Sequence, residues 1–249
     1  MIKIKTEKEI ELIRQAGKIV GQVLRRLREF LHPGISTEEL DAEAERLLRK
    51  LGATPAFKGY QGYPASICAS INEEVVHGIP AKHRRLKAGD IISLDVGAKL
   101  NGYFGDAAWT FGVGKISPSV QRLLNVGRQA LSRGISKACC GNHLLDISHA
   151  IQSYVEPFGF SVVKQFVGHG IGSQLHEDPE IPNFGRPGSG PILKAAMVLA
   201  IEPMVNQGNF EVEILDDKWT AVTKDRRLSA HFEHTICVTK NKAEILTAW

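Results

Sequence analysis

The chain carries a copy of its own first half. A helix, a glycine break, a second helix and a glycine stop precede residue 52, and the unit recurs 107 residues later. Gly34 maps onto Gly141, Glu39-Leu40 onto Asp146-Ile147, Leu47-Leu48 onto Tyr154-Val155, and Gly52 onto Gly159. In the first copy Thr6 and Glu9 form a capping box, and Ile10, Ile13, Gly17, Val20, Leu24, Leu27 and Leu31 keep three-four spacing up to Pro33-Gly34. Ser36 and Glu39 open the next helix, with Leu40, Ala44, Leu47, Leu48 and Leu51 on one face. The same shift carries "IISLD", ending at Asp95, onto "VLAIE", ending at Glu202. Two related halves of helix pair then strands predict an α+β fold with pseudo-two-fold symmetry, its helices covering one side of a curved, mostly antiparallel sheet. No low-complexity linker divides the halves, although "NFGRPGSGP" at 183–191 reads as a surface loop. The expectation is one domain over 1–249 with halves at about 6–112 and 117–240.

Composition narrows the class. At 249 residues with 43% hydrophobic content the chain can bury a proper core. It lacks a run of about 18 apolar residues to span a bilayer, and its start, "MIKIKTEKEIELIRQAG", is charged and unlike an export signal, so the expected location is the cytoplasm. Cys68, Cys139, Cys140 and Cys237 form no C-x-x-C pair and read as reduced, mostly buried thiols. A net charge of +4 without a clustered Lys/Arg run argues against DNA binding and leaves room for transient contact with a polyanion such as the ribosome.

The stretch "DIISLDVGAKLNGYFGDAAWTF" at 90–111 is a hairpin with one aspartate inside each arm, Asp95 and Asp106. A turn centred on Leu100-Asn101 sets these two opposite each other, with Ile92, Leu94, Val96, Ala107 and Trp109 on an apolar face and Ser93, Gly97, Phe104 and Ala108 beside the aspartates. Opposed carboxylates ~5 Å apart repel by ~3 kcal/mol at an effective dielectric of 20. A shared proton, a cationic side chain or bound metal has to offset that, unless both aspartates are simply solvated. Three further polar residues interrupt apolar strands: His169 between glycines in "FVGHGIG", Glu202 closing "AAMVLAIEP" and Glu233 in the strand "LSAHFEHTICV". Each alone has an ordinary structural explanation. Together, two Asp, two Glu and one His are a ligand set for a pair of divalent ions, and the oxygen-rich shell favours Mn, Fe(II) or Co while leaving Zn open.

With "YPASICASINEEVVHGIP", "VGHGIGSQLHEDPEIPNFG", "LAIEPM" and "WTAVTKDRRLSAHFEHT" in order around that hairpin, the chain resembles the short bacterial methionine aminopeptidases of the pita-bread metallopeptidases, over essentially its whole length. The resemblance places a dinuclear metal site on the same five residues, Asp95, Asp106, His169, Glu202 and Glu233. It implies hydrolytic removal of the initiator methionine from nascent chains with a small second residue, by a water held between two divalent ions (Co, Mn, Fe(II) or Zn). Glu202 would move the proton, His77 would hydrogen-bond the scissile amide and His176 would contact the substrate carbonyl. Tyr60, Tyr63, Cys68 and Trp219 match the family's methionine pocket, which suits a thioether. A monomer is implied as well, with no membrane partner.

This sequence departs from the family pattern at Leu175, where Phe is usual, at Phe57, usually a small Cys, at Ala107, usually a small hydroxyl residue, and at His231, usually Gln. Loss of the hydroxyl at 107 is expected to alter hydrogen bonding around Asp106, and His231 and His234 stand outside the expected site. Proline-directed sister enzymes usually carry an added amino-terminal domain, whereas the first helix here begins near residue 6. Binding-only relatives lose metal carboxylates, and all five ligands are present.

Overall fold

In a computed structural model, which describes residues 2–249, the helices are α1 (Glu7–Phe30), α2 (Thr37–Lys50), α3 (Pro118–Lys137) and α4 (Leu144–Val155). Capping boxes open α1 at Thr6/Glu9 and α2 at Ser36/Glu39, and at the matching place on α4 the His143 N–H donates to the Asp146 carboxylate (2.8 Å). The 107-residue register holds in space: α1 and α3 end at Phe30 and Lys137, and α2 and α4 begin at Thr37 and Leu144. The glycines after each helix adopt left-handed backbone at equivalent places, φ +96° and +93° at Gly34 and Gly141, +82° and +78° at Gly52 and Gly159. Leu51, expected on the buried face of α2, is 37% exposed because it lies past the last turn.

The strands form four antiparallel sheets rather than one uninterrupted surface. In the first half, Ile91–Leu100 pairs with Ile67–Ile71 on one side and Tyr103–Gly112 on the other. In the second, Val198–Ile201 lies between Gly168–Gly170 and His234–Cys237. Each helix pair buries its apolar face on its own half. Val20, Leu24, Leu40, Leu94, Val96 and Ala107 make one core, while Leu123, Ile147, Ile151, Leu199, Ile201 and Phe232 make the other, and Trp109 packs against both.

The hairpin register differs from the expected one. The turn is Asn101-Gly102, at φ 50° and 85°, closed by Leu100 opposite Tyr103. Two consecutive positive φ values define the tight turn that Asn-Gly favours, whose twist matches the strands. Asp95 therefore faces Ala108 and Asp106 faces Gly97, so the aspartates are diagonal neighbours. A slip of two residues preserves the face, and both carboxylates stay on the side away from the apolar core.

Candidate metal centre and active site

Neighbouring strands fix each candidate ligand. Asp95 lies beside Cys68 across the sheet. Asp106 is held through its main chain, its N–H donating to the Thr235 hydroxyl (3.0 Å) and its carbonyl accepting from that hydroxyl (2.7 Å). One side chain thus ties the first-half hairpin to a second-half strand. Ala107 is fully buried on the apolar face. A hydroxyl there would point away from the Asp106 carboxylate, and Thr235 anchors the Asp106 main chain.

His169 is central in its three-residue strand. A Cβ at Gly168 would come within 2.4 Å of the Ala200 carbonyl oxygen, and one at Gly170 within 2.1 Å of that of Asp178. These glycines admit neighbouring backbone rather than merely uncovering the imidazole. Glu202 closes its strand as expected, whereas Glu233 falls outside the strand expected to hold it. Glu202 follows Val198–Ile201, with its carbonyl accepting from Asn183 Nδ2 (3.1 Å), and Glu233 occupies the break between Ser229–His231 and His234–Cys237, its N–H donating to the Ala108 carbonyl (2.8 Å).

The five groups converge. One carboxylate oxygen each of Asp106 and Glu233 and a ring nitrogen of His169 lie within 4.8 Å of one another, and all three residues are buried. His169 Nε2 is 3.6 Å from Glu202 Oε1. His169 Nδ1 lies 2.9 Å from the Gly170 carbonyl, which can only accept, so Nδ1 carries the proton and Nε2 presents a lone pair. Burial keeps this imidazole neutral, pushing it down to about 3. Burial raises the carboxyls of Asp95, Asp106, Glu202 and Glu233. The neighbouring charges of Asp95 and Glu202 add to the shift at Asp106, and those of Asp106, Glu202 and Asp95 add to it at Glu233. Asp95 Oδ1, Asp106 Oδ1 and Glu233 Oε1 are buried without a hydrogen-bond partner. Four crowded acids, orphaned oxygens and an imidazole lone pair aimed among them fit divalent cations, which would satisfy every one of these groups at once.

A cavity of about 140 Å³ opens on this cluster and is lined by every residue the sequence assigned to the site. His77, His169, His176 and Glu202 also line an adjoining groove of about 590 Å³. Tyr60, Tyr63, Cys68 and Trp219 wall the small cavity, joined by Phe57 and Leu175. The Tyr63 and Trp219 rings meet edge to face at 5.1 Å. Burial keeps the Cys68 thiol protonated, raising it well above its usual value. The Tyr60 hydroxyl lies 2.8 Å from His176 Nδ1, and the His176 ring packs edge-on against His169, with centroids 4.3 Å apart. His77 has left-handed backbone at φ 61°, a costly conformation for a side chain of this size. Burial, with His231 and His176 nearby, pushes its imidazole down to about 4. A roomier cavity of about 630 Å³ between Arg28, Trp109, Arg128 and Trp249 is lined by no Asp or Glu side chain, so chemistry rather than volume locates the site.

Sequence reasoning missed His231. Its Nε2, buried and otherwise unpartnered, sits 3.4 Å from Glu202 Oε2, and its main-chain N–H and C=O both bond Thr110 Oγ1 at 2.8 Å. The available signal was its spacing of two from Glu233. All four cysteines are free, but Cys139 is half-buried and Cys140 exposed, so only Cys68 and Cys237 match the expectation of burial.

A fold of paired helices on antiparallel sheets around a carboxylate-rich, histidine-bearing cavity defines a metallohydrolase of the pita-bread class. The chain belongs to metallopeptidase family M24, whose profile matches residues 11–240. Within that family it is similar to methionine aminopeptidases. It is 56% identical to that of Clostridium acetobutylicum over 247 residues and to methionine aminopeptidase 1 of Bacillus subtilis over 247 residues, each comparison covering 99% of both chains. The crystal structure of methionine aminopeptidase from Thermotoga maritima superposes with a TM-score of 0.99 at 48% identity, covering 100% of both chains.

Proposed function

We propose that Asp95, Asp106, His169, Glu202 and Glu233 hold two divalent cations (Co, Mn, Fe(II) or Zn), and that the cavity removes the N-terminal methionine of nascent proteins with a small second residue. The reaction class, metal-dependent methionine removal, follows from family membership and from full-length relatives that are methionine aminopeptidases. One observation carries the site assignment: four crowded carboxyls, three of them (Asp95, Asp106 and Glu233) with a buried oxygen that has no hydrogen-bond partner, border a small cavity with room for a side chain rather than a polypeptide.

Cations held there supply Lewis acidity, which makes a water nucleophilic near neutral pH and polarises the scissile carbonyl. The chain's own groups do the rest. Glu202 takes a proton from the attacking water and delivers it to the leaving amine. With the Tyr60 hydroxyl donating to Nδ1, His176 carries its proton on Nε2 and donates to the oxygen that becomes negative in the tetrahedral state. His77, neutral by burial, hydrogen-bonds the scissile amide. Tyr60, Tyr63, Cys68 and Trp219 enclose the thioether, a polarizable group that suits aromatic edges and a thiol. The rest of the substrate leaves through the larger groove.

Among the described residues no helix is long and apolar enough to cross a membrane. We read the chain as a single catalytic domain of two internal halves, a monomer acting in the cytoplasm on chains emerging from the ribosome, with only transient ribosome contact. Calorimetric titration of chelator-stripped protein with Mn(II) tests the site: two ions per chain are expected, and fewer in Asp106→Asn. Equal stoichiometry in the two proteins would refute the assignment.

A further inference from the structure

A buried ion pair stands just outside the cavity, joining segments 172 residues apart. Lys5 Nζ lies 2.5 Å from Glu177 Oε2, and both side chains are 4% exposed. Glu177 immediately follows His176, and Leu175 and His176 both line the small cavity. Glu177 pairs across the sheet with Gly170, next to His169. Its other carboxylate oxygen accepts from the Gln174 N–H (3.2 Å) and the Ser173 hydroxyl (3.4 Å), with Lys3 Nζ at 3.8 Å and half-exposed. A Cβ at Gly172 would come within 2.5 Å of Lys5 Nζ and 2.8 Å of Glu177 Oε1, so the pair packs directly against the glycine. The Lys5 N–H donates to the Ala196 carbonyl (2.9 Å), fixing the segment that delivers the charge.

Burying an ammonium and a carboxylate is a poor way to gain stability, because desolvation offsets most of their attraction. What such a pair does supply is a fixed distance. We propose that Lys5 is a positioning residue, which through Glu177 sets the placement of His176 and Leu175 over the substrate carbonyl; this rests on the reading of the site given above. Asp95, Asp106, Glu202 and Glu233 belong to other segments, whereas His169 lies on the strand paired with that of Glu177. His176 is instead placed at one end by the Tyr60 hydroxyl and at the other by the residue that follows it.

The test compares wild type, Lys5→Met and the double variant Lys5→Met/Glu177→Gln. Lys5→Met strands a buried charge, so it loses stability as well as turnover. The double variant removes both charges in similar shapes and regains stability. Its kcat on Met-Ala-Ser is expected to stay on the order of 10- to 100-fold below wild type, the scale of an ångström-sized misplacement, with KM little changed and the thermal shift on Mn(II) addition retained. A purely structural pair would give a double variant with wild-type stability and wild-type kcat together, and that result overturns the proposal. The His176 imidazole ¹⁵N shift is measured in parallel. Should wild type release no methionine, the functional reading fails, and the shift alone decides positioning: it moves in the double variant if the pair sets His176 and stays if it does not.

Discussion

Thr235 and His231 support the candidate centre although neither belongs to the proposed ligand set. The Thr235 hydroxyl is the partner of both the N–H and the carbonyl of Asp106. Thr235→Val keeps the shape and leaves a buried N–H unpaired, which costs about 1–3 kcal/mol. Urea denaturation is expected to show that loss, and metal affinity to weaken with it, since Asp106 is no longer anchored. His231 sits against Glu202, the residue assigned to proton transfer. Replacing groups that orient a ligand typically costs 10- to 100-fold, so His231→Leu is expected to lower kcat by about that much, as measured by methionine release from a tripeptide. The clustering of the candidate Asp and Glu side chains was legible because carboxylates in apolar strands need a reason to be there. His231 was not, because a histidine two positions from a ligand is equally at home in a packed strand, and only the fold reveals the carboxylate it meets.

At the scale of elements, the hairpin shows what a sequence reading can lose without harm. Placing the turn one residue early changed the partner of every residue, yet the faces survived, because a displacement of two leaves side-chain parity untouched. The turn itself is testable. Gly102 has φ +85° and nothing near its absent Cβ, so Gly102→Ala pays for backbone conformation alone, about 1–2 kcal/mol. A fall in thermal midpoint with unchanged metal stoichiometry would bear this out. Helices α3 and α4 were read from the 107-residue repeat, and α1 and α2 were legible because capping boxes and three-four spacing are local signals. The break at Glu233 was not, because nothing local separates Ser229–His231 from His234–Cys237. At the break the Glu233 N–H bonds distant backbone, the Ala108 carbonyl. Lys5 and Glu177 escaped notice for the same reason: charges that meet across the whole fold leave no periodic trace.

For the whole molecule, the acid cluster links stability, pH and metal. The carboxyls of Asp95, Asp106, Glu202 and Glu233 are raised above their ordinary values in the folded chain, Asp95 to about 7 and Glu202 to about 8. A raised folded-state value means the native chain holds these protons more tightly than the unfolded one. The contribution of Asp95 and Glu202 is therefore fully present below the ordinary carboxylate range and is lost as pH climbs through 7 to 8. Chelator-stripped protein is expected to lose thermal midpoint between pH 5 and 8, and saturating Mn(II) to reverse the trend, because cations bind the deprotonated site of the native state. Differential scanning calorimetry at both pH values, with and without metal, measures it. The 107-residue register, legible from glycines and apolar spacing, brings Asp95 of one half toward Glu202 of the other, and the cluster forms where the halves meet. The most direct test of that centre is the release of free methionine from Met-Ala-Ser and Met-Leu-Ser by chelator-stripped protein, with and without Mn, Fe(II) or Co. Metal-dependent cleavage of the alanine peptide, with the leucine peptide spared and Asp106→Asn inactive, is the predicted result; both peptides remaining intact with every metal would contradict the account.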